Sequence, residues 1–192
     1  MMTTGALLTP DYPSYGTFGD GGSTIKLPDK YQLDTLEVYN QGSEGSCVSC
    51  AATEMMYLHD LQRGVNPSHD FPYLFHLRRD KTVNGMNPAE AFDLLKGNGR
   101  IKAYARMRSA SALRQSIITH GAAMAVFKVG NEGLRFWEGD ANLGYHAVAL
   151  TGWTPDGLTI KNSWGLGWGN SGFSLLPWTE FGRILELWTI LS

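Results

Sequence analysis

Apolar side chains recur at helical spacing in the first half of the chain and at strand-like spacing in the second half. The strongest helical pattern begins near Ser46 and ends near Arg63, with Gly64 as a stop signal. Three further helices are predicted over residues 68–79, 87–97 and 112–120. Runs rich in β-branched and aromatic residues predict strands at 122–129, 145–153, 158–162, 172–176 and 184–191.

The separation of helices from strands along the chain predicts an α+β fold with two lobes and a cleft between them. The helical lobe is expected over about residues 27–110 and the β lobe over about 111–192. Residues 1–26 are rich in Gly, Ser, Thr, Pro and Tyr and show no periodicity. Such a segment buries too little apolar surface to order itself, so we expect an arm that docks on its own domain or on a partner chain.

Charge and composition exclude several classes of protein. The 192 residues contain 16 Lys and Arg against 18 Asp and Glu, a net charge of -2, which gives no electrostatic basis for binding nucleic acid. No apolar run approaches the roughly 20 residues that span a bilayer, and the N-terminus lacks the basic start of a secretory signal. We therefore expect a cytoplasmic or virion-associated protein with no membrane span.

Cys47 is the candidate nucleophile. A glycine-containing loop that starts at Gln41 leads into the first turn of the first helix, where partial positive charge and free N–H groups favour a thiolate. The residues alone leave two other interpretations open. Cys47 could be a small buried side chain, or it could form a CxxC redox pair with Cys50, although the βαβ context of that motif is weak here.

Two polar residues on predicted strands complete the candidate chemistry. His146 begins an apolar strand and Asn162 ends the next one, and either could simply be a packed or strand-terminating residue. The remaining histidines lack metal-ligand spacing, and we interpret them as surface or packing residues: His59, His69, His76 and His120. We expect no metal and no organic cofactor.

The three segments together resemble the papain-like cysteine peptidases, family C1, and especially their short bacterial and phage-type members. The matching motifs are QGSEGSC ending at Cys47, GYHAV around His146 and KNSWGLGWG around Asn162. The resemblance covers roughly residues 27–192 and keeps the order Cys, His, Asn. It implies the papain-like two-lobe fold, in which the C-terminal lobe is an antiparallel, β-barrel-like sheet.

The resemblance also implies a role for each matched residue. Cys47 would be the nucleophile, and His146 would pair with it and then protonate the leaving amine. Asn162 would orient His146. The side-chain amide of Gln41 and the backbone N–H of Cys47 would form the oxyanion hole. Trp164 would shield the contact between His146 and Asn162 from water.

The substrate cleft implied by the resemblance contains both matches and departures. Its expected substrate-binding residues are Gly85, Met86, Asn87, Pro88, Tyr145 and Trp164. Met86 stands where the family has a glycine that presents its backbone, so we expect a narrowed cleft. The disulfide that papain has between the positions of Glu44 and Val83 is missing at both ends, which suits a reducing compartment.

The leading hypothesis is a cysteine endopeptidase that hydrolyses peptide or protein substrates through an acyl-enzyme. The alternative is a papain-like structural or binding module of a larger particle, such as a phage tail or baseplate, held there by the N-terminal arm. A third and weaker reading is amide or isopeptide hydrolysis on peptidoglycan. With only 40 residues before Gln41 there is no long propeptide, so we expect an enzyme made active and confined, or one controlled by another chain.

Overall fold

The computed structural model describes residues 2–19, 25–67 and 69–191. Four α-helices pack with seven β-strands, and two short 3₁₀ helices lie at Tyr12–Ser14 and Trp178–Arg183. The α-helices are α1 (Cys47–Gln62), α2 (Tyr73–Leu77), α3 (Pro88–Gly97) and α4 (Ala110–His120). The strands are β1 (Tyr31–Gln32), β2 (Ala103–Arg106), β3 (Ala123–Lys128), β4 (Tyr145–Thr154), β5 (Gly157–Lys161), β6 (Phe173–Pro177) and β7 (Glu186–Leu191). The α+β class is therefore confirmed.

All seven strands belong to one antiparallel sheet in the order β2-β7-β3-β4-β5-β6, with β1 paired to the far part of β4. The expected β-barrel-like sheet is antiparallel but not closed, because within the described residues β2 and β6 remain separate edges. The sheet also begins earlier than the expected lobe boundary. β2 lies in the stretch assigned to the helical lobe, yet it pairs with β7 from Ala103 opposite Leu191 to Arg106 opposite Trp188.

Helix α1 is the central element because nearly all of its side chains are buried. In a helix that is buried on all sides, each polar side chain needs a hydrogen-bond or ion-pair partner. Glu54 accepts from the backbone N–H of Leu36 and pairs with the ammonium group of Lys161, which also donates to the Leu36 carbonyl. This buried ion pair joins the helix of Cys47 to the strand that precedes Asn162.

The helix bounds agree with the sequence where a capping signal was present and differ where it was absent. The predicted helix at 87–97 is confirmed as α3, where the Asn87 side chain accepts from the Glu90 N–H and Pro88 occupies the first turn. The helix predicted over 68–79 is only α2, which starts directly after Pro72. Ser68, where that prediction began, lies outside the described residues.

The N-terminal arm lies on its own domain in the described part of the chain. Residues 5–7 lie between Met86 and the start of β4, and residues 9–18 lie against β7 and β2. Docking of the arm on a partner chain stays a prediction.

Across residues 2–19, 25–67 and 69–191 no helix has the length and apolar character needed to cross a bilayer. The same part of the chain holds no group of three His, Cys, Asp or Glu side chains placed to bind a metal ion.

Candidate active site

Cys47 is the first residue of α1, at the end of a loop that is held from outside by one asparagine. The Asn84 side chain accepts from the Gly45 N–H at 2.7 Å and donates to the Ser43 carbonyl at 3.1 Å. These two bonds join the stretches that papain would link by a disulfide, so an amide replaces the covalent tie. The loop delivers Cys47 to the helix N-terminus, as the sequence predicts.

His146 and Asn162 meet because β4 and β5 are antiparallel neighbours. His146 Nε2 lies 2.6 Å from Asn162 Oδ1, which also accepts from the Ser163 backbone N–H at 2.7 Å. Because an atom that accepts from a backbone N–H must be the amide oxygen, His146 Nε2 is the donor. The lone pair is therefore on His146 Nδ1, a buried atom with no hydrogen-bond partner among the described residues.

Aromatic rings close this pair off from water. The Trp164 ring stacks on the His146 imidazole with centroids 4.2 Å apart, and Phe136 meets it edge-on at 5.7 Å. His146 is fully buried, and this burial lowers its pKa to about 4 even though the Asn162 hydrogen bond favours the charged form.

The Cys47 thiol is also fully buried, and it is adjacent to the His146 strand. Burial raises its pKa to about 11, although the backbone N–H groups of Ala147 and Gly5 stabilise the thiolate. In the covered site burial therefore favours the neutral thiol and the neutral imidazole. Both cysteines are free thiols, and burial raises the pKa of Cys50 as well.

Gln41 is buried beside the nucleophile and its side-chain amide is fixed at both ends. Its Oε1 accepts from the Ser163 hydroxyl at 2.6 Å, and its Nε2 donates to the Glu44 carbonyl at 2.7 Å. The same Nε2 donates to the carbonyl of Thr3 in the arm at 3.2 Å, as does the Trp164 indole at 3.1 Å. The predicted oxyanion donor therefore already binds a peptide carbonyl.

Four of the six predicted substrate-binding residues divide into two groups. Met86 and Tyr145 lie on the two sides of the arm and bind it through their backbones. Asn87 and Pro88 instead start helix α3. Met86 is fully buried and offers its backbone N–H and carbonyl to the arm, as the glycine it replaces would. The expectation that it obstructs the cleft is therefore not supported by the geometry.

Two glycines allow the arm to lie this close to the site. A Cβ on Gly5 would collide with the Gly45 backbone, and a Cβ on Gly85 would lie 2.7 Å from the Gly5 carbonyl oxygen. Gly85 was predicted at the site from its motif, whereas nothing in the composition of the arm identified Gly5. The arm itself, Asn84 as a loop brace and Ser163 as a partner of Gln41 are the parts of the site that sequence reasoning missed.

Comparison with known proteins agrees with this geometry. The family model described as papain family cysteine protease matches residues 39–180. The chain therefore belongs to the papain family of cysteine proteases. It is 32% identical over 83 residues to a gut-specific cysteine proteinase of Caenorhabditis elegans, a match that covers 38% of this chain. The matched part spans only 25% of that curated relative.

Solved structures support the fold. Xylellain, a cysteine protease from Xylella fastidiosa, superposes with a TM-score of 0.82 at 16% identity, covering 98% of this chain and 96% of that one. Procathepsin B from Trypanosoma congolense superposes with a TM-score of 0.79 at 15% identity, covering 98% and 87%. At these identities the likeness establishes the two-lobe papain-like fold and nothing finer.

Proposed function

We propose that this protein is a cysteine endopeptidase that uses Cys47, His146 and Asn162 to hydrolyse peptide bonds. The observation that carries the proposal is the fixed tautomer of His146. Because His146 Nε2–H donates to Asn162 Oδ1, Nδ1 is left as a base, and the next residue on the same strand, Ala147, donates its N–H to the Cys47 thiol. A thiol, a base and an orienting group are the three parts of nucleophilic acyl transfer.

The proposed reaction uses these residues in turn. His146 Nδ1 takes the thiol proton as Cys47 Sγ attacks the substrate carbonyl carbon, and the oxygen that gains charge is held by Gln41 Nε2–H and the Cys47 backbone N–H. The imidazolium then gives its proton to the leaving amine, and the C–N bond breaks to leave a thioester. Water, deprotonated by the same nitrogen, hydrolyses the thioester and releases the acid and the free thiol.

The arm supports a peptide as the substrate class. It lies in the cleft as an extended chain, bonded through Gly5 and Leu7 to the backbone of Met86 and through Ala6 to that of Tyr145. These are bonds that any peptide backbone can make, and they favour an extended polypeptide over a compact small molecule. The arm also continues past both ends of the site, which supports internal cleavage.

Peptide hydrolysis with matched cysteine variants tests the proposal. Cleavage of an extended peptide library is followed by mass spectrometry for the wild-type full chain and for Gly5→Val, whose new side chain would collide with Gly45 and displace the arm. Cys47→Ala should abolish cleavage in both backgrounds, whereas Cys50→Ala should retain it if the fold persists. Cleavage that survives Cys47→Ala would rule out the assigned nucleophile.

The oxyanion donor provides a second measurement. In the Gly5→Val background, Gln41→Ala should lower kcat by about 10²–10³ with little change in KM, because the amide acts on charge that develops in the transition state. A change confined to KM would show that Gln41 binds the ground state instead.

A further inference from the structure

We propose that Asn84 is a positioning residue that aims the side-chain amide of Gln41 into the cleft. It acts through one peptide unit, the unit that joins Glu44 to Gly45. The effect on catalysis rests on the proposed function, in which Gln41 donates to the developing oxyanion. The effect on the amide itself does not, because it can be measured without a substrate.

The side chain of Asn84 binds the loop of residues 41–46 in one orientation. Its Oδ1 lies 2.7 Å from the Gly45 backbone nitrogen, and its Nδ2 lies 3.1 Å from the Ser43 carbonyl oxygen. Turning the amide over would place nitrogen against nitrogen and oxygen against oxygen, since an amide oxygen only accepts and an amide nitrogen only donates. A Cβ on Gly45 would collide with the Asn84 backbone, so this close approach also requires a glycine.

The Gly45 N–H and the Glu44 carbonyl belong to the same peptide unit. The unit is planar, and the described residues contain no cis peptide bond, so its N–H and C=O point in opposite directions. On the side away from Asn84, the Glu44 carbonyl accepts from Gln41 Nε2 at 2.7 Å. A rotation of this unit that takes the N–H away from Asn84 therefore also takes the carbonyl away from Gln41.

The two hydrogens of the Gln41 amide divide between the loop and the cleft. Nε2 donates to the Glu44 carbonyl, and it also donates to the Thr3 carbonyl in the cleft at 3.2 Å. Because an amide nitrogen carries two hydrogens in one plane, holding the first on Glu44 fixes the direction of the second. The second hydrogen is the one that the proposed mechanism gives to the oxyanion.

Asn84 is itself held in place by the arginine that follows helix α2. The Arg78 guanidinium donates to the carbonyls of Val83 at 3.0 Å, Phe75 at 2.8 Å and Lys81 at 3.3 Å. The Val83 carbonyl lies in the peptide unit directly before Asn84. The exposed loop that carries Asn84 therefore has internal bonds that fix its shape.

Nuclear magnetic resonance of the ¹⁵N-labelled full chain tests this positioning role without peptidase activity. In Asn84→Ala, exchange of the Gln41 side-chain amide hydrogens with water should speed up about fivefold, the factor that loss of one ordinary hydrogen bond allows. Asn84→Asp keeps an acceptor for the Gly45 N–H and should stay closer to wild type. Asn131→Ala is the matched control and should not change the rate, because Asn131 bonds the Gly133 N–H and two carbonyls of a different loop.

Kinetics in the Gly5→Val background test the catalytic consequence. Asn84→Ala should lower kcat by about tenfold with little change in KM, less than the cost of losing an oxyanion donor outright. Once Gln41 is Ala, Asn84→Ala should cost nothing further. Alkylation of Cys47 by iodoacetamide should keep its rate in Asn84→Ala, because alkylation of a thiol develops no oxyanion.

The outcomes separate the positioning role from other roles of Asn84. An unchanged exchange rate of the Gln41 amide in Asn84→Ala would overturn the proposal, and so would equal effects of Asn84→Ala and Asn84→Asp. Slower alkylation, or a loss additive with Gln41→Ala, would overturn it in favour of a general brace. If circular dichroism shows Asn84→Ala unfolded, Arg78→Ala, which frees the Val83 carbonyl, decides by the same exchange measurement. Faster exchange in a chain that cleaves no peptide would support the positioning role and contradict the proposed peptidase.

Discussion

The main contact of the Ser163 hydroxyl orients the side-chain amide of Gln41. The hydroxyl donates to Gln41 Oε1, and together with the Glu44 carbonyl, which accepts from Nε2, this bond holds the amide with its nitrogen toward the cleft. Without the Ser163 donor the amide is held at one end only, so its N–H is less firmly placed for a developing oxyanion. Ser163 is therefore a positioning residue for the proposed oxyanion donor.

In the Gly5→Val background, we expect Ser163→Ala to lower kcat by about tenfold, less than the 10²–10³ cost of losing an oxyanion donor outright. KM should change little, and Ser163→Thr should restore part of the rate. The deciding measurement is a double-mutant cycle, in which Ser163→Ala costs nothing further once Gln41 is Ala. Additive losses would mean that Ser163 acts by another route.

Single residues also show where sequence reasoning reached its limit. Cys47, His146 and Asn162 could be found because each belongs to a motif with its own spacing. The ionisation of Cys47 could not, because the helix N-terminus was visible in the sequence but the arm above the thiol was not. With the arm in place, the loss of hydration outweighs the helix and backbone N–H groups, and the pKa rises to about 11 instead of falling.

At the scale of elements, α3 is defined by its two ends. The Asn87 side chain caps the first turn by accepting from the Glu90 N–H, and Gly97 ends the helix. Glu90 does not complete a reciprocal capping box, because its carboxylate accepts from the Arg79 N–H in the preceding loop. Asn87 therefore carries the cap by itself.

Asn87→Ala should lower the free energy of unfolding by about 1 kcal/mol, the usual cost of removing an N-cap side chain. Asn98→Ala is the matched control. Asn98 follows the last residue of the same helix and caps it through its backbone N–H, which the substitution keeps. Urea denaturation of the two variants beside wild type measures the difference. Equal losses in both variants would contradict the cap.

The elements that escaped prediction are those whose formation depends on distant partners. β2 has only four residues and no alternation long enough to identify, and it forms because β7 offers an edge more than 80 residues later in the chain. That the sheet stays open also depends on distant pairings and could not be predicted. Five strands could be located from their composition, but whether the edges meet depends on twist and on pairing order, which composition does not encode.

At the scale of the whole molecule, burial of histidines sets the response to acid. Burial lowers the pKa of His146 to about 4, and it also lowers the pKa of His59 and of His120, whose carbonyl lies 3.2 Å from His59 Nδ1. In each case burial disfavours the charged form in the folded state, and the imidazole regains an ordinary pKa near 6.5 when the chain unfolds. Between these values the unfolded chain binds more protons, so the free energy of unfolding falls as the pH falls.

For His146 alone, the free energy of unfolding should fall by about 2 kcal/mol between pH 7.5 and pH 5, and the other two histidines change it in the same direction. Urea denaturation at the two pH values measures the total. His146→Gln should show a smaller drop over the same interval. An equal drop in the variant would mean that His146 already titrates normally in the folded protein.

The covered thiol has a chemical consequence that concerns oxygen and not peptides. Peroxides oxidise a cysteine through its thiolate, and a thiol with a pKa of about 11 is almost wholly protonated near neutral pH. While the arm covers the site, the Cys47 sulfur therefore stays reduced and resists conversion to sulfenic acid. Displacement of the arm, which the proposed peptidase activity requires, would also expose Cys47 to that damage, so every period of activity would carry a risk of oxidative inactivation.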